Sequence, residues 1–227
     1  VCDGTDAGAR APALDFKRLG DANAGPNTGG MGAYSPAPVV TAVVYQRILE
    51  RVILPTVRGM AEEGHPYTGF LYAGLMIDAD GNHSVIEFNC RFGDPETQPI
   101  LQRLQSDLVS HCQSALERRL DTAVAQWDPR PAVGVVLAAG GYPNAYEKGH
   151  TITGLDTPWP ATTKVFHAGT QTQDGNIVTH GGRVLCVSAL GNTIEEAIQL
   201  AYAGVDHINW QDMIFRQDIY ELFPIHL

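Results

Sequence analysis

The chain has 227 residues, 44% hydrophobic and 18% charged, with a formal net charge of -10 at pH 7 and a pI near 5.1. This is a globular composition with room for one large domain or two ordinary ones, and it excludes a disordered chain. An acidic balance without a basic stripe excludes a nucleic-acid surface, and no apolar run approaches the roughly 18 residues of a membrane helix.

The chain opens on Val1-Cys2-Asp3-Gly4 with strand character and no initiating Met, as expected of a piece of a longer protein. Residues 1–19 read as a hairpin whose second strand is Ala13 to Leu19, sending Lys17 and Arg18 to opposite sides. As a charged pair at a strand end they are either surface decoration or contacts to an anion. From Gly20 to Pro36 the chain reads as a loop, with four glycines between Gly25 and Gly32. Its backbone must bend tightly and leave N–H groups accessible, as in loops that bind anions. It is neither a Walker A loop nor GxGxxG, and an ordinary connection would have the same composition. Thr41 caps an expected helix from Ala42 to Glu63, closed by Gly64 and kinked or split at Pro55. Residues 68–77 form a strand, 78–82 a turn and 83–90 the return strand, with Glu87 opposite Gly74 and Asn89 opposite Tyr72.

The chemistry concentrates in Val85-Ile86-Glu87-Phe88-Asn89-Cys90-Arg91-Phe92-Gly93-Asp94-Pro95-Glu96. Alternation puts Glu87, Asn89 and Arg91 on one face and Ile86, Phe88 and Cys90 on the other. A carboxylate and an amide two residues apart can offer oxygens to one hard cation, and Arg91 could hold a phosphoryl group beside it. The same spacing also describes the solvated face of an antiparallel sheet. The crowding of Asn, Arg, Asp and Pro at the strand end favours the functional reading.

Further on, Thr97 caps a short helix over residues 99–105 and Ser106 another over 107–120, with Leu108, Cys112, Ala115 and Leu116 as its core stripe. Composition changes at Trp127-Asp128-Pro129-Arg130-Pro131, which divides the chain into units 1–126 and 127–227. In the second unit, strands are expected over 132–139, 163–168, 177–179 and 183–189. A helix capped by Thr193 follows, with Glu195 and Glu196 in its first turn. His150, His167 and His180 have no ligand spacing and read as surface or core residues, so no metal is assigned to them. Cys2, Cys90, Cys112 and Cys186 show no CxxC spacing and suit the reduced thiols of a cytoplasmic protein.

Three long strings, Gly25 to Pro36, Tyr67 to Met76 and Glu87 to Gln98, resemble the phosphoribosylamine–glycine ligases of purine biosynthesis in order and spacing. The likeness continues through Ala138 to Pro143, Lys164 to Thr170 and Gly181 to Val187. It implies an α+β fold: the second part of an ATP-grasp domain, an antiparallel sheet with helices, followed by a small α+β C-terminal domain. It also implies that the amino-terminal half, including the lobe that grips the nucleotide, precedes Val1.

The implied cofactors are ATP and Mg²⁺ or Mn²⁺, and the implied substrates are glycine and 5-phosphoribosylamine. Matched position by position, Glu87 and Asn89 fall on metal ligands and Arg91 on a group that steadies the transferring phosphoryl. Lys17 and Arg18, the loop residues Asn27, Thr28, Gly29, Gly30 and Met31, and Asp94, Pro95 and Glu96 border the small-substrate site. The family shows Gln-Asp-His-Lys-Arg where this chain has Leu14-Asp15-Phe16-Lys17-Arg18, so contacts from the Gln and His positions are not expected. Other readings are a different ATP-grasp carboxylate–amine ligase and an inactive binding or assembly fragment.

Overall fold

The computed structural model describes residues 1–8 and 11–219. In chain order its strands and helices are β1 (Cys2–Asp3), β2 (Leu14–Asp15), β3 (Arg18–Gly20), β4 (Ala24–Asn27), β5 (Gly32–Ser35), α1 (Ala42–Ile48), α2 (Leu54–Glu62), β6 (Thr68–Gly69), β7 (Tyr72–Ile77) and β8 (His83–Asn89). There follow α3 (Thr97–Arg103), α4 (Leu108–Leu116), β9 (Ala132–Ala138), β10 (Thr163–His167), β11 (Thr170–Gln173), β12 (Asn176–Thr179), β13 (Arg183–Leu190) and α5 (Ile194–Val205).

The core is a five-stranded antiparallel sheet in the order β10-β13-β9-β5-β2. β9 is buried along its whole length, as a strand covered on both faces must be. Its sequence sorts the two faces. Val133, Val135 and Leu137 join Val187, Ala197 and Ala201 in the main core under α5. Gly134 lies on the other face, where a Cβ would stand 3.3 Å from Pro99 of α3. On that same face the Ser188 hydroxyl donates to Gln102 of α3 at 2.6 Å. Small residues on one side thus let α3 approach, and branched ones on the other fill the space beneath α5.

Expectations for the first stretch of the chain are corrected. The hairpin over residues 1–19 does not form: β1 pairs with β6, β2 with β5, and β3 with β4. Phe16, only 1% exposed, sits between β2 and β3 with its N–H on the Gly32 carbonyl, and packing it on Tyr34 draws the segment into the sheet. Residues 9 and 10, in the loop of that expected hairpin, lie outside the described residues. The stretch read as a glycine loop contains β4 and β5, and β5 is a fully buried strand of the central sheet. The central sheet takes strands from both sides of residues 127–131, since β5 pairs with β9 from Gly32↔Val135 to Ser35↔Ala132.

The helix expected over 42–63 is broken by a π-turn at Leu49–Ile53, one turn ahead of Pro55, whose missing N–H such a turn accommodates. Thr41 caps it as expected. Asp107, not Ser106, caps α4, and the Ser106 hydroxyl is instead 2.7 Å from His111 Nε2. The buried residues of α4 are His111 and Ala115, while Leu116 is exposed. Among the described residues no helix is long and apolar enough to cross a membrane, and none of the four cysteines forms a disulfide.

Candidate functional site

Four stretches meet at one cavity of about 110 Å³. Lys17 and Gly29 come from the β2–β5 region, Tyr72 and Glu87 from the β7–β8 ribbon, Arg91, Asp94 and Glu96 from the loop after β8, and Arg183 from the start of β13. The ribbon fixes the first of these by register. Tyr72 pairs with Asn89 and Gly74 with Glu87, as the sequence predicts. The expected turn geometry differs: Leu75 pairs with Val85, so Ile86 is an extra residue on β8, and this bulge restores the register at the functional end.

The lining is densely charged. Lys17 Nζ lies 2.6 Å from Asp15 Oδ2, and Arg183 lies 2.7 Å from Asp94 Oδ2. Arg183 also donates to the Gly29 carbonyl at 2.8 Å and the Asp94 carbonyl at 3.1 Å, tying the glycine segment to the loop after β8. The Gly29 N–H donates to the Tyr142 hydroxyl at 2.9 Å. The Tyr72 hydroxyl donates to Glu96 Oε1 at 2.9 Å. Burial, and then Glu96, push the Tyr72 phenol well above its ordinary range, so it remains a donor. Burial and the neighbouring Glu96 push the Asp15 carboxyl up to about 7 against the pull of Lys17. Burial opposes the Lys17 charge, but Asp15 outweighs it, helped by Glu96 and Glu87, and the ammonium holds its proton more firmly.

The predicted residues divide accordingly. Lys17, Gly29, Glu87, Arg91, Asp94 and Glu96 come together on the cavity, and Pro95 packs behind it. Arg18 turns away and donates to the Gly25 carbonyl at 2.9 Å, and Asn27 is exposed on β4. Thr28 braces the loop, its hydroxyl donating to the Lys17 carbonyl and accepting from the Gly30 N–H. Met31 is 0% exposed, and its N–H and C=O are taken by Phe16 and Val136, so it presents nothing to a substrate. His150 lies 3.5 Å from Glu147 and His167 Nδ1 3.0 Å from Thr170 Oγ1, both away from the cavity lining.

Sequence reasoning missed Asp15, Tyr72, Tyr142 and Arg183. Asp15 and Lys17 are two apart on an extended segment, a same-face signal available in the sequence. Arg183 offers none beyond following Gly181-Gly182.

A hard cation is compatible with this lining. Among the described residues no three His, Cys, Asp or Glu side chains group into a full cage, but Mg²⁺ commonly takes only one or two carboxylates and completes its shell with phosphate and water. Glu87 lines the cavity, and Asn89 follows on the same face with its amide nitrogen buried and, among the described residues, without a hydrogen-bond partner. Half a turn of that amide puts its oxygen, a cation ligand, in the unpartnered position.

Two predictions follow from this geometry. Between pH 4 and 7 the native Asp15 holds a proton that the unfolded one, with its ordinary value of 3.8, gives up. Stability therefore falls as pH rises through that window. Asp15→Asn is expected to remove this fall, on the order of 2 kcal/mol, as read by urea unfolding at pH 5 and pH 8. Gly30 has φ +113°, and a Cβ there would stand 2.3 Å from Pro95 Cδ and 2.6 Å from Asp15 Oδ1. Gly30→Ala is expected to destabilise by about 2–3 kcal/mol in the same assay, since strain and overpacking add.

Comparison with known proteins bears on the whole chain. The phosphoribosylglycinamide synthetase ATP-grasp (A) domain matches residues 1–97, and the C domain of the same family matches residues 132–221. The phosphoribosylamine–glycine ligase of Vibrio cholerae serotype O1 is 62% identical over 219 residues, covering 96% of this chain and 51% of the relative. That of Escherichia coli K12 is 59% identical over 220 residues, with the same shares. The crystal structure of phosphoribosylamine–glycine ligase from Thermotoga maritima superposes with a TM-score of 0.78 at 36% identity, over 96% of this chain and 53% of that one. A biotin carboxylase from Campylobacter jejuni, with a TM-score of 0.57 at 12% identity over 82% of this chain and 40% of that one, shares the fold alone. The chain thus spans about half the length of the curated relatives it matches. It belongs to the phosphoribosylglycinamide synthetase family and has the α+β fold of the ATP-grasp ligases.

Proposed function

We propose that this chain supplies the substrate-facing part of an ATP-dependent ligase that joins glycine to 5-phosphoribosylamine. The products are glycinamide ribonucleotide, ADP and phosphate, in cytoplasmic purine biosynthesis. The amino-terminal half of the full-length protein would contribute the grip on the nucleotide. The supporting observation is the convergence of Lys17, Arg91 and Arg183 with Glu87, Asp94 and Glu96 on one small cavity.

The chemistry that suits this lining is attack of the glycine carboxylate on the γ-phosphate of ATP, then displacement of phosphate from glycyl phosphate by the amine. A carboxylate is ionised at neutral pH, so the first step needs no general base. Its barrier is repulsion between two anions, which Arg91 and Lys17 would offset where charge accumulates. Mg²⁺ or Mn²⁺ at Glu87 and Asn89 would neutralise phosphate charge beside them. Arg183 would hold the Gly29–Gly30 segment and Asp94 in fixed relation, so that the reactants meet a preformed wall.

The test is ADP release by the protein at the full length of its relatives, with phosphoribosylamine and a panel of glycine, bicarbonate and formate. Release with glycine alone supports the reading. Release with another acid and none with glycine makes the protein a different ATP-grasp ligase. The 227-residue chain assayed beside it is expected to be silent.

A further inference from the structure

The cavity contains one buried acid that no basic group answers among the described residues. Lys17 is matched by Asp15 and Arg183 by Asp94, and Glu87 is exposed. Glu96 is 4% exposed, and its Oε1 accepts the Tyr72 hydroxyl at 2.9 Å. Its Oε2 is buried and has no hydrogen-bond partner among the described residues, although Glu96 lines the cavity. A buried carboxylate oxygen left unmet is strongly unfavourable, and in a cavity its natural complement is a cationic ligand. The neighbourhood is shaped around that oxygen: a Cβ on Gly93 would stand 2.7 Å from Oε2 and 2.9 Å from Tyr72 Cε2.

Resting on the ligase reading above, we propose that Glu96 sets the substrate class of this cavity by receiving a primary ammonium group, the α-ammonium of the amino acid, on its free oxygen. An ammonium has three N–H donors and no acceptor, which suits an acid whose other oxygen is already taken by a phenol. The assignment also resolves a chemical problem of the reaction. Two primary amines enter, and only one is to attack the acyl phosphate. A nitrogen held as ammonium has no lone pair to attack with, so Glu96 keeps the amino acid's own nitrogen out of the reaction. The carboxylate end remains free to react.

The experiment uses the full-length protein with glycine and with glycolate, which replaces the ammonium by a hydroxyl. Glu96→Gln keeps an acceptor for Tyr72 and removes the charge. It is expected to raise the KM for glycine about 10–100-fold, the range for a lost hydrogen bond to a charged group. The KM for phosphoribosylamine should not move, and the preference for glycine over glycolate should shrink by the same factor. Gly93→Ala, which displaces Oε2, should shift glycine in the same direction. Calorimetric titration of glycine into the protein with a non-hydrolysable ATP analogue reads the loss without turnover.

An unchanged glycine KM overturns the proposal. So does an equal loss for glycine and glycolate, which marks a structural role, and so does a rise confined to phosphoribosylamine, which assigns the acid to the nucleophile. If the unsubstituted protein shows no glycine-dependent turnover, the ligase reading fails first and this assignment falls with it.

Discussion

Glu87→Gln in the full-length protein is expected to lower ADP release by about 10²–10³-fold and to raise the Mg²⁺ concentration needed for half-maximal rate, as measured by a coupled assay across a Mg²⁺ series. The substitution leaves size and strand register nearly unchanged. Gly74, opposite Glu87, keeps its place, because a Cβ there would meet Glu87 Cγ at 3.1 Å and none is present. What changes is charge alone. A Gln offers one neutral oxygen to a hard cation where Glu offers a full negative charge. A loss of rate that added Mg²⁺ partly restores would locate the defect in cation binding. A Gln variant that turned over normally at low Mg²⁺ would assign the cation to other residues.

Arg216→Met is expected to cost about 3–5 kcal/mol of stability. Arg216 is fully buried and pairs through two hydrogen bonds of 2.7 Å with Asp218. Its remaining N–H donors reach the Arg18 carbonyl at 3.2 Å and Asn23 Oδ1 at 3.1 Å, and its guanidinium lies 5.1 Å from the centre of the Phe16 ring. Asp218 in turn accepts from the Ala22 N–H at 2.7 Å. The pair therefore clasps the segment after α5 to the β3–β4 hairpin. Removing the cation strands a buried carboxylate, whereas removing both charges does not, so the Arg216→Met/Asp218→Asn double variant should regain much of the loss in urea unfolding. The Arg216 hydrogen bond, working against burial, holds the Asp218 carboxyl below the usual carboxylate range. Its contribution is thus present above the ordinary carboxylate value and is lost as pH falls through the lowered one. Equal unfolding curves for the wild type and the single variant would contradict this account.

The sequence reveals features governed by local rules. Thr41 and Thr193 cap their helices through hydroxyl acceptors, a pattern with a fixed offset of three residues. Glu87 and Asn89 share a face because strand alternation is rigid, and their partners Gly74 and Tyr72 follow from a hairpin. The bulge at Ile86 was not readable, and the register came out right at the functional end because the bulge offsets a shorter turn. β5 was hidden because Gly32-Ala33-Tyr34-Ser35 has turn-like composition, and only its pairing with the apolar β9 makes it a core strand. β11 was hidden by its polar sequence, although Asp174-Gly175 before Asn176 is a hairpin signal.

The site shows the same limit. Arg183 bonds to Gly29 from 154 residues away, and no local pattern anticipates that. The oily face of β8 was legible as a pattern but not in its surroundings. Ile86 is 64% exposed and Phe88 42% exposed, because among the described residues β7 and β8 pair only with each other.

The most direct measurement follows one oxygen atom. With glycine labelled by ¹⁸O in its carboxylate, ATP and phosphoribosylamine, the full-length protein should release phosphate carrying one labelled oxygen per turnover. Attack on the γ-phosphate leaves a carboxylate oxygen on phosphorus when the amine displaces it. Unlabelled phosphate, with glycinamide ribonucleotide still formed, would mean that the glycine carboxylate never attacked phosphorus. The cavity around Glu87, Arg91 and Glu96 would then have been assigned the wrong chemistry.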